Sequence, residues 1–273
     1  MTTLRDVVSV LDGLYDPAWA DDWDAVGTVA GDPDAPVTKV LFAVDPVRAV
    51  VDEAVEWGAD LVVTHHPLWL KGVTSVAATS PKGSVVHRLI THGIALHTCH
   101  TNADSPHLGV SESMAFALGL SDVRPLEPDT DDVEPDRGSG RIGVLSSPLA
   151  LADFADHVAR SLPAHQSAVR VAGDPARPIR TVALCGGSGD FLLATAQAAG
   201  ADAYVTSDLR HHPVSEHLEQ SDPCAVIDVP HWSAEWTWLP VAADALMQRL
   251  PSVETRVSTI VTDPWTAHVP GTV

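Results

Sequence analysis

Apolar positions near the start of the chain recur at intervals of three and four. Leu4, Val7, Val8, Leu11 and Leu14 share one face of a helix over 3–14, with Thr3 as its N-cap. Residues 19–32 lose that period and read as loop and short strand, broken by Gly27, Gly31 and Pro33. The run 39–44 (KVLFAV) is short and continuously apolar, as a buried strand is. Helical spacing returns over 46–57, with Val47, Val50, Val51, Ala54 and Val55 inward and Gly58 at the C-cap. A second apolar run, 60–64 (DLVVT), follows. Strand, helix and strand in that order predict a parallel pair joined by a right-handed crossover. Further on, GIALH (93–97) reads as a short strand and 110–118 as a helix opened by Gly109.

The same plan recurs as strand 181–186, helix 190–199 ended at Gly200, and strand 202–206. Segments 40–64 and 182–206 align without gaps at a constant offset of 142, with seven identities in 25 positions. Shared helix–glycine–strand grammar produces some such likeness, but positional register adds to it, so an internal duplication is expected. Between the repeats, residues 121–141 hold three prolines and seven acidic residues between 122 and 136, the composition of an exposed connector. A helix over 148–162 with Pro148 at its start and a strand over 256–262 complete the pattern. The expected fold is α/β: two related lobes facing a metal cleft, one of residues 1–125 plus 226–273, the other of residues 126–225.

Charge narrows the function classes. Lys and Arg number 16 against 36 Asp and Glu, a net charge of −20, so binding nucleic acid through a basic patch is excluded, and anionic membrane surfaces are disfavoured. No run reaches the roughly 18 apolar residues of a membrane span, and the N-terminal stretch is not a signal peptide. Cys99, Cys185 and Cys224 form no CxxC pair, which argues against a disulfide framework or zinc finger and for a reducing, cytoplasmic setting. Fourteen histidines beside those carboxylates make a natural ligand set for divalent metals.

The polar residues that carry chemistry cluster after strands, where α/β folds bind ligands. Thr64-His65-His66-Pro67 follows the DLVVT run; Pro67 breaks the strand, so both imidazoles can turn to one site or stand as loop histidines. His97 to Asp104 (HTCHTNAD) offers Asp104 as a metal carboxylate and His100 as ligand or supporting donor, or an Asx turn capping the next helix. His231 and Glu235 lie four apart; on a helix they share one face, as ligands or as a surface pair. Asp208, His211, His212 and His217 follow the second repeat and read as cleft lining or as a polar helix face.

In combination these segments resemble the GTP cyclohydrolase 1 type 2 homolog family, the interacting-factor-three-like dinuclear-metal proteins. DWDAVGTVAGD (22–32), VVTHHPLW (62–69), HTNADSPHLGVSESMA (100–115), TSDLRHH (206–212), DVPHWSAEW (228–236) and STIVTDPW (258–265) occur in the family's order across nearly the whole chain. The chain departs from the family pattern at Thr28, at S-P-H-L-G (105–109), at Ser207 and at Pro230, none of which removes a candidate ligand.

The resemblance implies that His65, His66, Asp104, His231 and Glu235 hold two divalent ions, Zn, Fe, Mn or Ni. Three imidazoles and two carboxylates leave coordination positions open to water, as catalytic sites do. It further implies a homo-oligomer, expected to be a hexamer, and hydrolysis of a nucleotide-like heterocycle such as the guanine ring of GTP. His100 is assigned as proton shuttle because imidazole titrates near neutrality. No Walker or GxGxxG motif is present for a triphosphate. A two-metal phosphoesterase and a non-catalytic metal-binding regulatory scaffold are the rival readings.

Overall fold

The computed structural model describes residues 1–129, 136–164 and 167–269. The chain packs as two compact units, Met1–Pro106 with Leu239–Thr262 and His107–Trp238 with Asp263–Val273.

In unit 1, α1 (Leu4–Leu14) begins with a capping box in which the Thr3 side chain accepts from Asp6 N and the Asp6 carboxylate accepts from Thr3 N. Strands β1 (Gly27–Ala30), β2 (Lys39–Ala43), β3 (Leu61–Thr64) and β4 (Ala95–Thr98) alternate with α2 (Arg48–Trp57) and α3 (Pro81–Thr91), and the four-residue α4 (Thr101–Asp104) follows β4. The second unit contains α5 (Val110–Ala117), β5 (Ser121–Pro128), β6 (Gly138–Ala150), α6 (Leu151–Ser161), β7 (Arg170–Ala172), β8 (Pro178–Ser188), α7 (Leu193–Ala198), β9 (Ala203–Ser207), α8 (His211–Leu218), β10 (Ala225–Asp228) and α9 (His231–Trp236). Helix α10 (Trp238–Arg249) and β11 (Glu254–Val257) return the chain to unit 1.

The unit 1 sheet runs β1-β4-β3-β2-β11, with only β1 antiparallel. Its core joins Leu41, Val62 and Leu96 of the strands to Val50, Val51 and Ala54 of α2 and Val85, Val86 and Leu89 of α3. Burying each of these leucines and valines contributes about 1.5–3 kcal/mol. The unit 2 sheet runs β5-β6-β8-β9-β10-β7. One core cluster carries Met114, Leu151, Phe154 and Val158 of its helices, and another carries Leu193 and Ala196 of α7 with Tyr204.

The two segments aligned in the sequence share their backbone register as far as Leu184, after which the β8–β9 pairing slips. Val40 pairs with Leu61 and Val182 with Ala203, the same positions at the offset of 142. Asp60 accepts from the amides of Thr38 (2.7 Å) and Lys39 (3.0 Å), and Asp202 from those of Arg180 (2.9 Å) and Thr181 (2.8 Å). Gly58 and Gly200 end their helices at φ of +72° and +75°, a conformation costly for residues with a Cβ. The third strands match as well: Ala95 N donates to Asp60 O and Ala225 N to Asp202 O.

Several expectations are corrected. Residues 121–141 are not a free connector: 121–128 form β5, paired antiparallel with β6, while 130–135 lie outside the described residues. Pairing fixes this stretch despite its prolines, because β5 is an edge strand and tolerates missing donors. The units therefore divide at 106/107 and 238/239 rather than at 125/126 and 225/226, since Met114, Ala115 and Leu118 of the α5 region join the unit 2 core. Pro148 does not start a helix. It sits in the interruption of the β6–β8 pairing between Val144 and Leu149, and the helix begins at Leu151. The late strand is Glu254–Val257, not 256–262. The second repeat's helix is a 3-10 turn, Asp190–Leu192, followed by α7.

Candidate metal centre

Each unit carries its own set of candidate ligands. In unit 1, the chain past β3 stays close to its neighbour: His65 N donates to Ala43 O (3.1 Å) and His66 N to Val44 O (2.9 Å). Both imidazoles stand at this strand end, with ring centroids 5.2 Å apart. His100, just past β4, brings its ring to 5.1 Å from that of His65 and 5.5 Å from that of His66. One ring nitrogen from each of the three lies within 4.8 Å of the others, the spacing of a shared cation. Asp104, at the end of α4, places Oδ1 3.6 Å from His65 Nε2.

The remaining ring nitrogens are held by the protein. His65 is buried, and its Nδ1–H donates to Cys99 O at 3.0 Å. His66 Nδ1 lies 2.7 Å from Asp45 Oδ1, and the other Asp45 oxygen accepts from the Thr262 hydroxyl. His100 Nδ1 lies 2.8 Å from Asp24 Oδ1, whose partner oxygen accepts from Thr101 N (3.1 Å) and Thr101 Oγ1 (2.6 Å). Burial works to raise the Asp24 carboxyl, but the hydrogen bonds from His100 and Thr101 outweigh it and hold it well below the usual range. A carboxylate or carbonyl on Nδ1 fixes the tautomer and leaves Nε2 as the ligand atom, the arrangement typical of metal-binding histidines.

In unit 2, Pro230 ends the extended approach and α9 opens at His231. One helical turn carries Glu235 to the same face, and its Oε1 lies 2.7 Å from His231 Nε2. Asp208 Oδ2 meets His231 Nδ1 at 2.7 Å. Burial alone would lower the His231 pKa; Glu235 and Asp208 overcome it and raise it to about 11. The His231 hydrogen bond in turn lowers Asp208. Two carboxylates around one imidazole leave a net negative set, which a divalent cation suits.

Four of the residues singled out in the sequence thus gather in unit 1 (His65, His66, His100, Asp104) and two in unit 2 (His231, Glu235). This donor chemistry, imidazole and carboxylate with anchored rings, fits borderline divalent metals. His100 stands among the candidate ligand nitrogens as well as beside an acid. The fourth cluster divides. Asp208 is not helix surface: it turns at φ +56° after β9 and orients His231. His211 and His212 are exposed on α8, and His217 is buried, its Nε2–H donating to Cys224 O at 3.0 Å. Sequence reasoning missed Asp24 and Asp45 as supports. Asp24 lies inside the quoted DWDAVG segment; nothing in the sequence marks Asp45.

The Duf34/NIF3 (NGG1p interacting factor 3) family model matches residues 2–264. A GTP cyclohydrolase 1 type 2 homolog of Streptomyces coelicolor is 52% identical over 273 residues, covering 98% of this chain and 95% of its own. NIF3-like protein 1 of Drosophila melanogaster is 31% identical over 215 residues, covering 78% of this chain and 72% of its own. A Staphylococcus aureus hypothetical protein superposes with a TM-score of 0.89 at 28% identity, covering 97% of this chain and 99% of that one. A Bacillus cereus protein related to NIF3 shares the fold at a TM-score of 0.89 and 22% identity, covering 97% and 98%. With its fold, its strand-end histidines and the family match over nearly its full length, this chain belongs to the Duf34/NIF3 family.

Proposed function

We propose that the chain is a dinuclear-metal-dependent hydrolase of a nucleotide-like heterocycle, with His65, His66, Asp104, His231 and Glu235 as ligands of two divalent ions. The observation that carries this reading is the anchoring of His65, His66 and His231: in each, Nδ1 is engaged by a carboxylate or carbonyl, so Nε2 is the ligand atom. Asp104 and Glu235 offset cationic charge. When bound, the ions supply Lewis acidity and lower the pKa of water. The name of the curated relatives, GTP cyclohydrolase 1 type 2 homolog, supplies the substrate class.

The chain's own residues do the rest. His100, held by Asp24, carries a proton to or from the reacting group. The net charge of −20 repels a nucleotide's phosphates, so attraction must come from the ions. The strand register shared by the two segments supports an origin by duplication. A homohexameric, cytoplasmic protein completes the reading; among the described residues no helix is long and apolar enough to cross a membrane.

Elemental analysis of protein purified without chelator tests the centre: two ions per chain are expected. No ion after reconstitution with Zn²⁺, Mn²⁺ and Fe²⁺ would refute it. Loaded protein is then incubated with GTP and, in parallel, with a chromogenic phosphodiester. Ring opening of GTP supports the cyclohydrolase reading, cleavage of the diester alone a phosphoesterase, and full loading without turnover a regulatory scaffold.

A further inference from the structure

Next to the His231–Glu235 pair runs a glycine-rich segment, Cys185 to Asp190 (CGGSGD). It lies at and just past the end of β8, and Gly187 takes φ +69°. A Cβ built on Gly187 would stand 2.7 Å from Glu235 Oε1 and 3.5 Å from His231 Cε1 and Nε2. The Glu235 side chain is 3% exposed and its Oε1 meets His231 Nε2 at 2.7 Å, so a shift of the carboxylate would disturb that pair. The segment is also pinned. Thr206 Oγ1 donates to Gly187 O (2.9 Å), Tyr204 OH to Gly189 O (2.7 Å), and Gly186 N to Ser111 Oγ (3.2 Å). With the wall held, a side chain at 187 would be accommodated by a shift of the Glu235 carboxylate.

The offset of 142 places Asp208 on His66, but it does not carry as far as Gly187, because the β8–β9 pairing slips between Leu184 and Ser188 and sets Ser188 opposite Ser207. In the first repeat the residue past the first strand holds the orienting carboxylate, and the residue past the second is the histidine it orients. In the second repeat the carboxylate stands at the later position, where Asp208 orients His231, and the irregular end of β8 brings Gly187 against Glu235.

We infer that Gly187 is a positioning residue of the candidate metal centre: its missing side chain is the space in which Glu235 and His231 hold their ligand geometry. The inference rests on the metal-binding reading above. It requires that any side chain at 187 displace the Glu235 carboxylate, independently of backbone strain.

Gly200 separates the two effects. It has φ +75°, and a Cβ there meets nothing within 4 Å. Gly187→Ala and Gly200→Ala therefore share the strain but differ in the clash. The experiment strips metal from wild type and both variants and titrates Zn²⁺ in competition with a chelating dye, with circular dichroism to report folding. We expect Gly200→Ala to bind as wild type and Gly187→Ala to lose one ion or bind it at least tenfold more weakly. Equal affinity in folded Gly187→Ala and wild type would overturn the inference, as would an equal loss in Gly200→Ala. If Gly187→Ala does not fold, Thr206→Val decides. It adds no atom near the site and frees the Gly187 carbonyl, so weakened Zn²⁺ binding supports the positioning role and unchanged binding refutes it. Absence of Zn²⁺ binding in wild type is a different failure, that of the metal-centre reading itself.

Discussion

At the end of β3 stand His65 and His66; at the same register past Thr206 stand Ser207 and Asp208. Around these residues the two segments agree closely. Both strand pairs are parallel, both helices end at a left-handed glycine, and an aspartate just ahead of each following strand clamps two amides. Yet one segment presents imidazoles and the other a carboxylate and a bare glycine. The backbone plan depends on buried apolar residues and a few caps, so it tolerates any side chain at the strand ends. Chemistry is assigned there, at positions the core does not constrain. The third strands differ in the same way: His97 of β4 occupies the place of Ile227 in β10, each paired with a valine of the preceding strand.

The largest test of this contrast is removal of a ligand. Asp104→Ala should lose at least one ion, whereas His212→Ala, on exposed α8, should keep both. Desolvating two dications without one of only two anionic ligands is costly. Metal content measured with circular dichroism checks this; equal retention would mean the centre is built differently.

His97 comes next. His97 is shielded by burial, which lowers its pKa to about 4, and its Nδ1 lies 3.1 Å from Thr28 Oγ1. In the unfolded chain imidazole titrates near 6.5. Between these values the unfolded state binds more protons, so stability is full above about pH 6.5 and falls as pH drops toward 4. The loss approaches about 3 kcal/mol for the roughly 2.5-unit difference. Urea unfolding at pH 7 and pH 4.5 should show this loss in wild type and a smaller one in His97→Ile. An unchanged pH dependence in the variant would assign the acid sensitivity elsewhere.

Removing the orienting carboxylates sharpens the comparison further. Asp45→Asn and Asp208→Asn should each weaken metal binding about 10- to 100-fold, without unfolding the protein, because each supports one histidine from a different repeat. A competition titration that finds only one of them effective would show that the two supports are not equivalent. The smallest effect is structural. Gly58→Ala and Gly200→Ala should each cost about 1–2 kcal/mol and, with open space at both, should cost about the same. Urea midpoints that differ widely between the two would break the equivalence of the repeats.

Much of this was legible in the chain itself. Period-3.6 and continuous apolar runs located α1, β2, α2 and β3, and Gly58 and Gly200 marked their helix ends. The offset of 142 anticipated a register that the strands share up to the pairing of Leu184 with Val205. The candidate ligands were legible because each falls just past a strand or at a four-residue helical spacing, both local features. The acidic stretch 121–128 was misread because composition reports exposure, and an edge strand is also exposed.

What the sequence determined, then, is where strands end and which metal-loving residues stand at those ends, since periodicity and spacing are properties of neighbours along the chain. Only the tertiary structure decided which acids serve which histidines. Asp24 reaches His100 across 76 residues, Asp45 reaches His66 across 21 and Thr262 across 217, and Asp208 reaches His231 across 23. The role of Gly187 belongs to the same kind, because an absent side chain leaves no mark in a sequence pattern and is defined only by the carboxylate packed against it. Such pairings are set by how parallel strands stack their ends side by side, and separation along the chain carries no information about that.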